Sequence, residues 1–93
     1  MTDDAAVLYE LSWEPEAIEQ LASLAKSYPE AAAGVVPAVH RLAAEPRPVD
    51  STPLGGSGTY RRLQTGYIRV IYAISETTHT VRVVLVGRAD QPR

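Results

Sequence analysis

An α+β fold, a small antiparallel sheet packed on one face by an N-terminal helical hairpin, is predicted from the 93-residue sequence by three features. A short alternating segment precedes Glu14-Pro15, two stretches with apolar residues at helical spacing follow, and three strand-like runs come after a stretch rich in proline and glycine. The implied order is β-α-α-β-β-β. A hydrophobic content of 45% suffices for one modest core, so a single domain over residues 1–93 is expected.

Val7 to Trp13 alternates and is rich in strand-forming residues, and Glu14-Pro15 closes it, because proline suits the first position of a helix. Ile18, Leu21, Ala22, Leu24, Ala25 and Tyr28 then recur at helical spacing while Glu16, Glu19, Gln20 and Lys26 fall largely elsewhere, the pattern of an amphipathic helix. Tyr28-Pro29 breaks it. In the second helical stretch Val35, Val36, Val39, Leu42 and Ala43 supply the buried stripe. Pro37 removes a backbone donor there and clashes with the preceding turn, so either a kink or break near Gly34 or two shorter helices is expected. Glu45 to Thr59 holds Pro46, Pro48, Pro53, Gly55, Gly56 and Gly58 and reads as a connection without regular structure. Strands are expected at Tyr60 to Thr65, Tyr67 to Ser75 and Thr80 to Gly87, an antiparallel meander with Gly66 and the turn Glu76 to His79 between its members. The middle strand is apolar at nearly every position, as a central strand covered on much of both faces requires, and Arg69 interrupts it.

The formal net charge of −2 conceals a division along the chain. Residues 1–46 carry two cations, Lys26 and Arg41, against eight acids, whereas residues 47–93 carry seven arginines against three acids. Guanidinium groups bind phosphate as rigid forks, so the second half suits an anionic partner, although a GC-rich coding sequence explains the arginine usage equally well. The absence of cysteine excludes disulfides and thiolate metal sites, and His40 and His79 fall in different elements, so no metal or other cofactor is expected. Both histidines read as surface residues. No run is long enough to span a bilayer, and Asp3 and Asp4 stand where a secretory signal carries positive charge, so a cytoplasmic protein without membrane contact is expected. Gly55-Gly56-Ser57-Gly58 has the composition of a phosphate loop, but no lysine follows at the needed spacing and a strand comes next, which argues against nucleotide hydrolysis.

Pro53-Leu54-Gly55-Gly56 leading to Tyr60-Arg61-Arg62-Leu63, then Gly66-Tyr67-Ile68-Arg69-Val70-Ile71-Tyr72, then Val81 to Val86-Gly87-Arg88, resemble in order and spacing the pattern of the RelE/ParE toxin superfamily. That pattern is an L-x-G loop, a strand with R-L-R, a G-x-Y-R-V-I-Y strand and a V-G-H-R-like tail. Trp13 ahead of the Pro15-Glu16-Ala17 helix start, and the helix end Leu42-Ala43-Ala44-Glu45-Pro46, fit as well. The resemblance covers nearly the whole chain. It implies the toxin of a bacterial toxin-antitoxin pair, neutralised by a cognate antitoxin that wraps it and covers its active groove. RelE-like members act with the ribosome, cleaving mRNA in the decoding site; ParE-like members inhibit DNA gyrase and carry no nuclease residues.

RNA cleavage by 2′-hydroxyl attack needs a proton acceptor, a proton donor for the leaving oxygen, and cations for the charge that grows on the phosphate. Arginine serves only the last role, its pKa being too high for a base. By the resemblance, Arg69 is the R-V-I-Y arginine that contacts the scissile phosphate, Arg62 is the first arginine of R-L-R, and Arg88 follows V-G. These three are the candidate catalytic residues of a metal-free endoribonuclease. Alternation groups Arg69 with Tyr67, Ile71 and Ala73 on the side taken as the open face. The competing reading makes Arg69 a paired cation that holds a buried carboxylate or backbone carbonyls. Arg61, Arg82 and Tyr67 are candidate RNA contacts, although each arginine taken singly reads as a solvated residue and Tyr60, Tyr67 and Tyr72 as packing residues. Gln64 replaces the second arginine of R-L-R, Ala89 stands where nuclease members keep a phosphate-binding arginine, and their tail tyrosine has no counterpart before Arg93. Three functions are therefore open: a message endonuclease with weakened catalysis, a ParE-like or inert binding protein, and an interaction module pairing through acidic helices or a sheet edge.

Overall fold

Residues 8–89 are described by the computed structural model, so Val7 of the expected first strand and the segment from residue 90 onward lie outside them. β1 (Glu10–Trp13) passes through Glu14 into α1 (Pro15–Ser27). Glu14 is extended, with φ −64° and ψ 143°, and Pro15 takes the first helical position, where its missing N–H is one that the helix does not use. Tyr28 ends α1, its N–H donating to the Leu24 carbonyl at 2.7 Å. The second helical stretch is divided into α2 (Pro29–Ala33) and α3 (Val35–His40), with a 3-10 turn over Arg41–Ala43. The break expected near Gly34 is found, and it leaves two shorter helices. Restarting the helix at Val35 puts Pro37 in the first turn, where backbone N–H groups have no partner within the helix in any case.

β3 (Tyr60–Thr65), β4 (Ile68–Ser75) and β5 (Thr80–Arg88) form the expected antiparallel meander under the helical hairpin, and the α+β class holds. The sheet departs from the expected antiparallel one in two ways. Glu45 to Thr59 is not wholly irregular, because β2 (Ser51–Leu54) pairs antiparallel with β3. Its edge position tolerates Pro53, since only one side of an edge strand needs its hydrogen bonds. At the opposite edge β1 lies parallel to β5, with Leu11 beside Val81 and Trp13 beside Val83, which gives the order β1-β5-β4-β3-β2 and makes the sheet mixed.

The helices cover one face of this sheet. Val35, Val39 and Leu42 join Leu63, Val70, Tyr72 and Val83 in one cluster closed to water. At its centre the Tyr72 hydroxyl donates to the Pro46 carbonyl at 2.7 Å, tying the start of the proline-rich connection to the core. Beyond the end of β1 the outer edge of β5 has no strand neighbour, and Gln20 of α1 supplies the missing acceptor, its Oε1 taking the Val86 N–H at 2.8 Å. Gln20→Ala leaves that donor without its partner and is expected to lower stability by about 1–3 kcal/mol. The check is the urea midpoint of unfolding; an unmoved midpoint would mean that water replaces the amide at no cost.

Candidate functional site

Alternation along β4 sends Ile68, Val70 and Tyr72 into the core and Arg69, Ile71 and Ala73 to the face without helices. Strand register extends that face sideways: Gln64 and Gly87 flank Arg69, Arg62 and Leu85 flank Ile71, and Tyr60 and Arg82 flank Ala73. Arg62 and Arg69 are therefore diagonal neighbours on adjacent strands, close enough for long side chains to serve one ligand. Neither immediate neighbour occupies the Arg69 guanidinium. Gly87 has no side chain, and Gln64 turns its amide to the Gly66 carbonyl at 3.2 Å. The Arg69 Nε is shielded from water without a hydrogen-bond partner, and no ion pair reaches Arg69 among the described residues. Among the described residues the buried acid of the competing reading is not there.

Six site residues expected from the sequence fall into two groups. Arg62, Arg69 and Arg82 share the open face, with Arg82 held by Glu14 at 2.9 Å. Arg61, Arg88 and Tyr67 do not. Arg61 alternates with Arg62, so it turns to the other face, where its Nε donates to the Ser51 hydroxyl at 2.9 Å and its Nη2 to the Ser51 carbonyl at 3.1 Å, bracing β2 on β3. Arg88 lies opposite Ile68 and so on the helix side. Its Nη1 donates to the Tyr28 hydroxyl at 2.8 Å and its guanidinium lies 5.0 Å from the Tyr28 ring centre. Tyr67 precedes β4 in a turn shaped by Gly66 at φ 61°, so strand alternation does not reach it. Its ring meets Tyr28 edge to face at 5.7 Å instead of lying with Arg69. Tyr60 joins the open face unforeseen, although its spacing of two from Arg62 was the available signal. Tyr28 gave no signal, because its partners are remote in sequence.

A second polar cluster sits at the turn between β4 and β5. Glu76 accepts from the Tyr9 hydroxyl at 2.6 Å and pairs with Arg47 at 2.7 Å, while the Tyr9 ring meets His79 edge on at 5.2 Å. Bonds from Tyr9 and then Arg47 hold the Glu76 carboxyl below its ordinary value of 4.5, and the carboxylate in turn raises the Tyr9 phenol. A depressed carboxylate stabilises the fold above its unfolded pKa, and that contribution is lost as pH falls through the folded value. Glu76→Gln is accordingly expected to flatten the acid side of the stability–pH curve and leave the neutral side unsteepened, which thermal melts across pH can read.

The outer side of the helical hairpin carries two adjoining hollows of about 280 and 380 Å³ that share Ile18, Leu21 and Val36. Ile18 is 53% and Val36 40% exposed. Among the described residues no group of His, Asp or Glu side chains converges as metal ligands would, and no helix is long and apolar enough to cross a membrane.

No protein-family model matches the sequence, and no curated protein matches it. Solved structures do. The toxin-antitoxin complex RelBE2 of Mycobacterium tuberculosis contains a chain 28% identical to this one, at a TM-score of 0.74 over 95% of this chain and 100% of that one. The RelE-RelB complex of the archaeon Pyrococcus horikoshii matches at 21% identity and a TM-score of 0.76, over 91% and 99% of the two chains. Isolated RelE of E. coli matches at 17% identity and 0.72, over 91% and 88%. The fold, a helical hairpin on one face of a five-stranded mixed sheet, is that of RelE-like toxins. Together with the motifs of the sequence, the likeness to the mycobacterial complex supports a RelE-like toxin superfamily for this chain.

Proposed function

We propose that residues 1–93 act as one toxin domain that arrests translation by ribosome-dependent cleavage of mRNA, with the open face of the sheet holding the message at a phosphate. The observation that carries this reading is Arg69: a permanent cation whose Nε is withdrawn from water and left without an acceptor on an otherwise helix-free face. Such a donor costs free energy as it lies, and a swing of the side chain that brings the guanidinium out to a phosphate oxygen satisfies it with charge assistance. Arg62 supplies a second fork one strand away, and Arg82 is drawn in by exchanging Glu14 for the ligand. These cations stabilise charge growing on the phosphate, while proton transfer falls to Tyr60, which shares the face two residues from Arg62. The partner proposed by likeness to the RelBE2 and RelE-RelB complexes is a cognate antitoxin. The exposed Ile18–Val36 surface suits the apolar stripe of an antitoxin helix.

The division of the arginines favours a second reading. With Arg61 and Arg88 engaged on the helix side, the open face holds fewer cations than the resemblance implies, which suits a ParE-like gyrase inhibitor or an inert binding protein. Adding the purified chain to a translating bacterial extract separates the readings. Message fragments ending within ribosome-protected codons support the endonuclease; arrested translation with intact messages removes it. Loss of supercoiling in a gyrase assay identifies the alternative target.

A further inference from the structure

We propose that Tyr67, braced by Tyr28 and Arg88, is a stacking platform for one nucleobase of single-stranded RNA, a reading that rests on the phosphate site at Arg69. Tyr67 is 42% exposed, unusual for a large ring held in a defined place. Its backbone is pinned on both sides: Gly66 at φ 61° forms the turn before it, and its own carbonyl accepts the Ala89 N–H at 2.8 Å. Its ring rests against Tyr28 with an interplanar angle of 78°, and Tyr28 is held by Arg88 through both its hydroxyl and its ring. Only part of Tyr67 is used by this contact, and what remains is an aromatic surface whose rotamer is set before any ligand arrives. Pre-setting the ring lowers the ordering cost of binding. The flat apolar surface accepts the face of any base, which gives affinity with little sequence preference.

Placement selects the ligand. Tyr67 precedes Arg69 by two residues, in the turn that leads into β4, a backbone separation of at most about 7 Å. That is the scale of a single nucleotide step, so a strand whose phosphate sits on Arg69 lays a neighbouring base over the rim of the sheet onto Tyr67. Arg88, 5.0 Å from the Tyr28 ring centre, adds positive charge beside the platform. A proline-rich peptide also stacks on tyrosine but makes no use of the Arg69 guanidinium.

The test is anisotropy of a fluorescent single-stranded RNA of about six nucleotides, a length within the site sizes of single-strand binders, beside an abasic backbone of equal length and a proline-rich peptide. Tyr67→Leu is expected to weaken the base-bearing strand by roughly 5- to 150-fold, the range of one stacked base, and to leave the abasic strand unchanged. Tyr67→Trp should retain both. Equal weakening of the two strands by Tyr67→Leu, no weakening of either, no binding by the unaltered protein, or capture of the peptide in place of RNA overturns the platform. Arg69→Ala separates the two readings. If it weakens both strands while Tyr67→Leu weakens neither, the phosphate site stands and the platform falls; if it weakens neither while Tyr67→Leu still distinguishes bases, stacking stands without that phosphate site.

Discussion

Arg69→Leu is expected to make the protein more stable and less able to hold RNA. Removing a shielded donor that has no acceptor returns its desolvation penalty, about 1–3 kcal/mol, and a leucine fills part of the same space between Gln64 and Gly87. For a domain of this size each kcal/mol raises the melting temperature by roughly 4–8 °C. The same change deletes a charged hydrogen bond to phosphate, about 1.5–3 kcal/mol, which is roughly a 10- to 150-fold loss of RNA affinity. It should also reduce the salt slope of binding by about 0.7, the share of one phosphate contact on a single strand. Arg69→Lys keeps the charge but not the fork and should fall between the two. Opposite signs for stability and affinity are the signature of a residue kept for a ligand. A variant that loses both together would make Arg69 a structural cation and withdraw the basis for the RNA reading.

Tyr72→Ala is expected to cost the fold about 3–5 kcal/mol, a large part of what a domain of this size has to spare. The side chain is closed to water at the centre of β4, so truncation opens a cavity under the helical hairpin and frees the Pro46 carbonyl at once. Tyr72→Phe isolates the second effect. It keeps the ring and removes only the 2.7 Å bond, for an expected loss of about 1–2 kcal/mol. Denaturant titration of the two variants should give clearly unequal losses. Equal losses would mean that the hydroxyl, and not the ring, holds this part of the core.

The candidate site was only half legible in the sequence. Arg69 was placed on the open face by counting in twos along a strand that the structure contains, because a side chain's face within one strand is a local property, whereas Arg62 came from the resemblance and only the β3–β4 pairing sets it on the same face. The same counting, applied without the strand ends, put Tyr67 beside Arg69, but Gly66 reverses the chain just before it and the ring goes to Tyr28. Arg61 was expected as an RNA contact beside Arg62; Ser51, ten residues earlier, claims it through a strand pairing that proline-rich sequence concealed.

The succession of first strand, helical hairpin and antiparallel meander, the break before Pro37, the strand starting at Tyr60 and the division of charge between the two halves were determined by the sequence alone. Each depends on hydrophobic period, on proline and glycine, or on summed charge, and these act over a few residues or not through space at all. Only the tertiary structure decided that β1 lies parallel to β5, that residues 51–54 complete the far edge, and which arginines are spoken for. Those outcomes depend on pairings between segments tens of residues apart. Whether a guanidinium is satisfied depends on what such pairings bring within hydrogen-bond reach, and for Arg69 they bring nothing among the described residues.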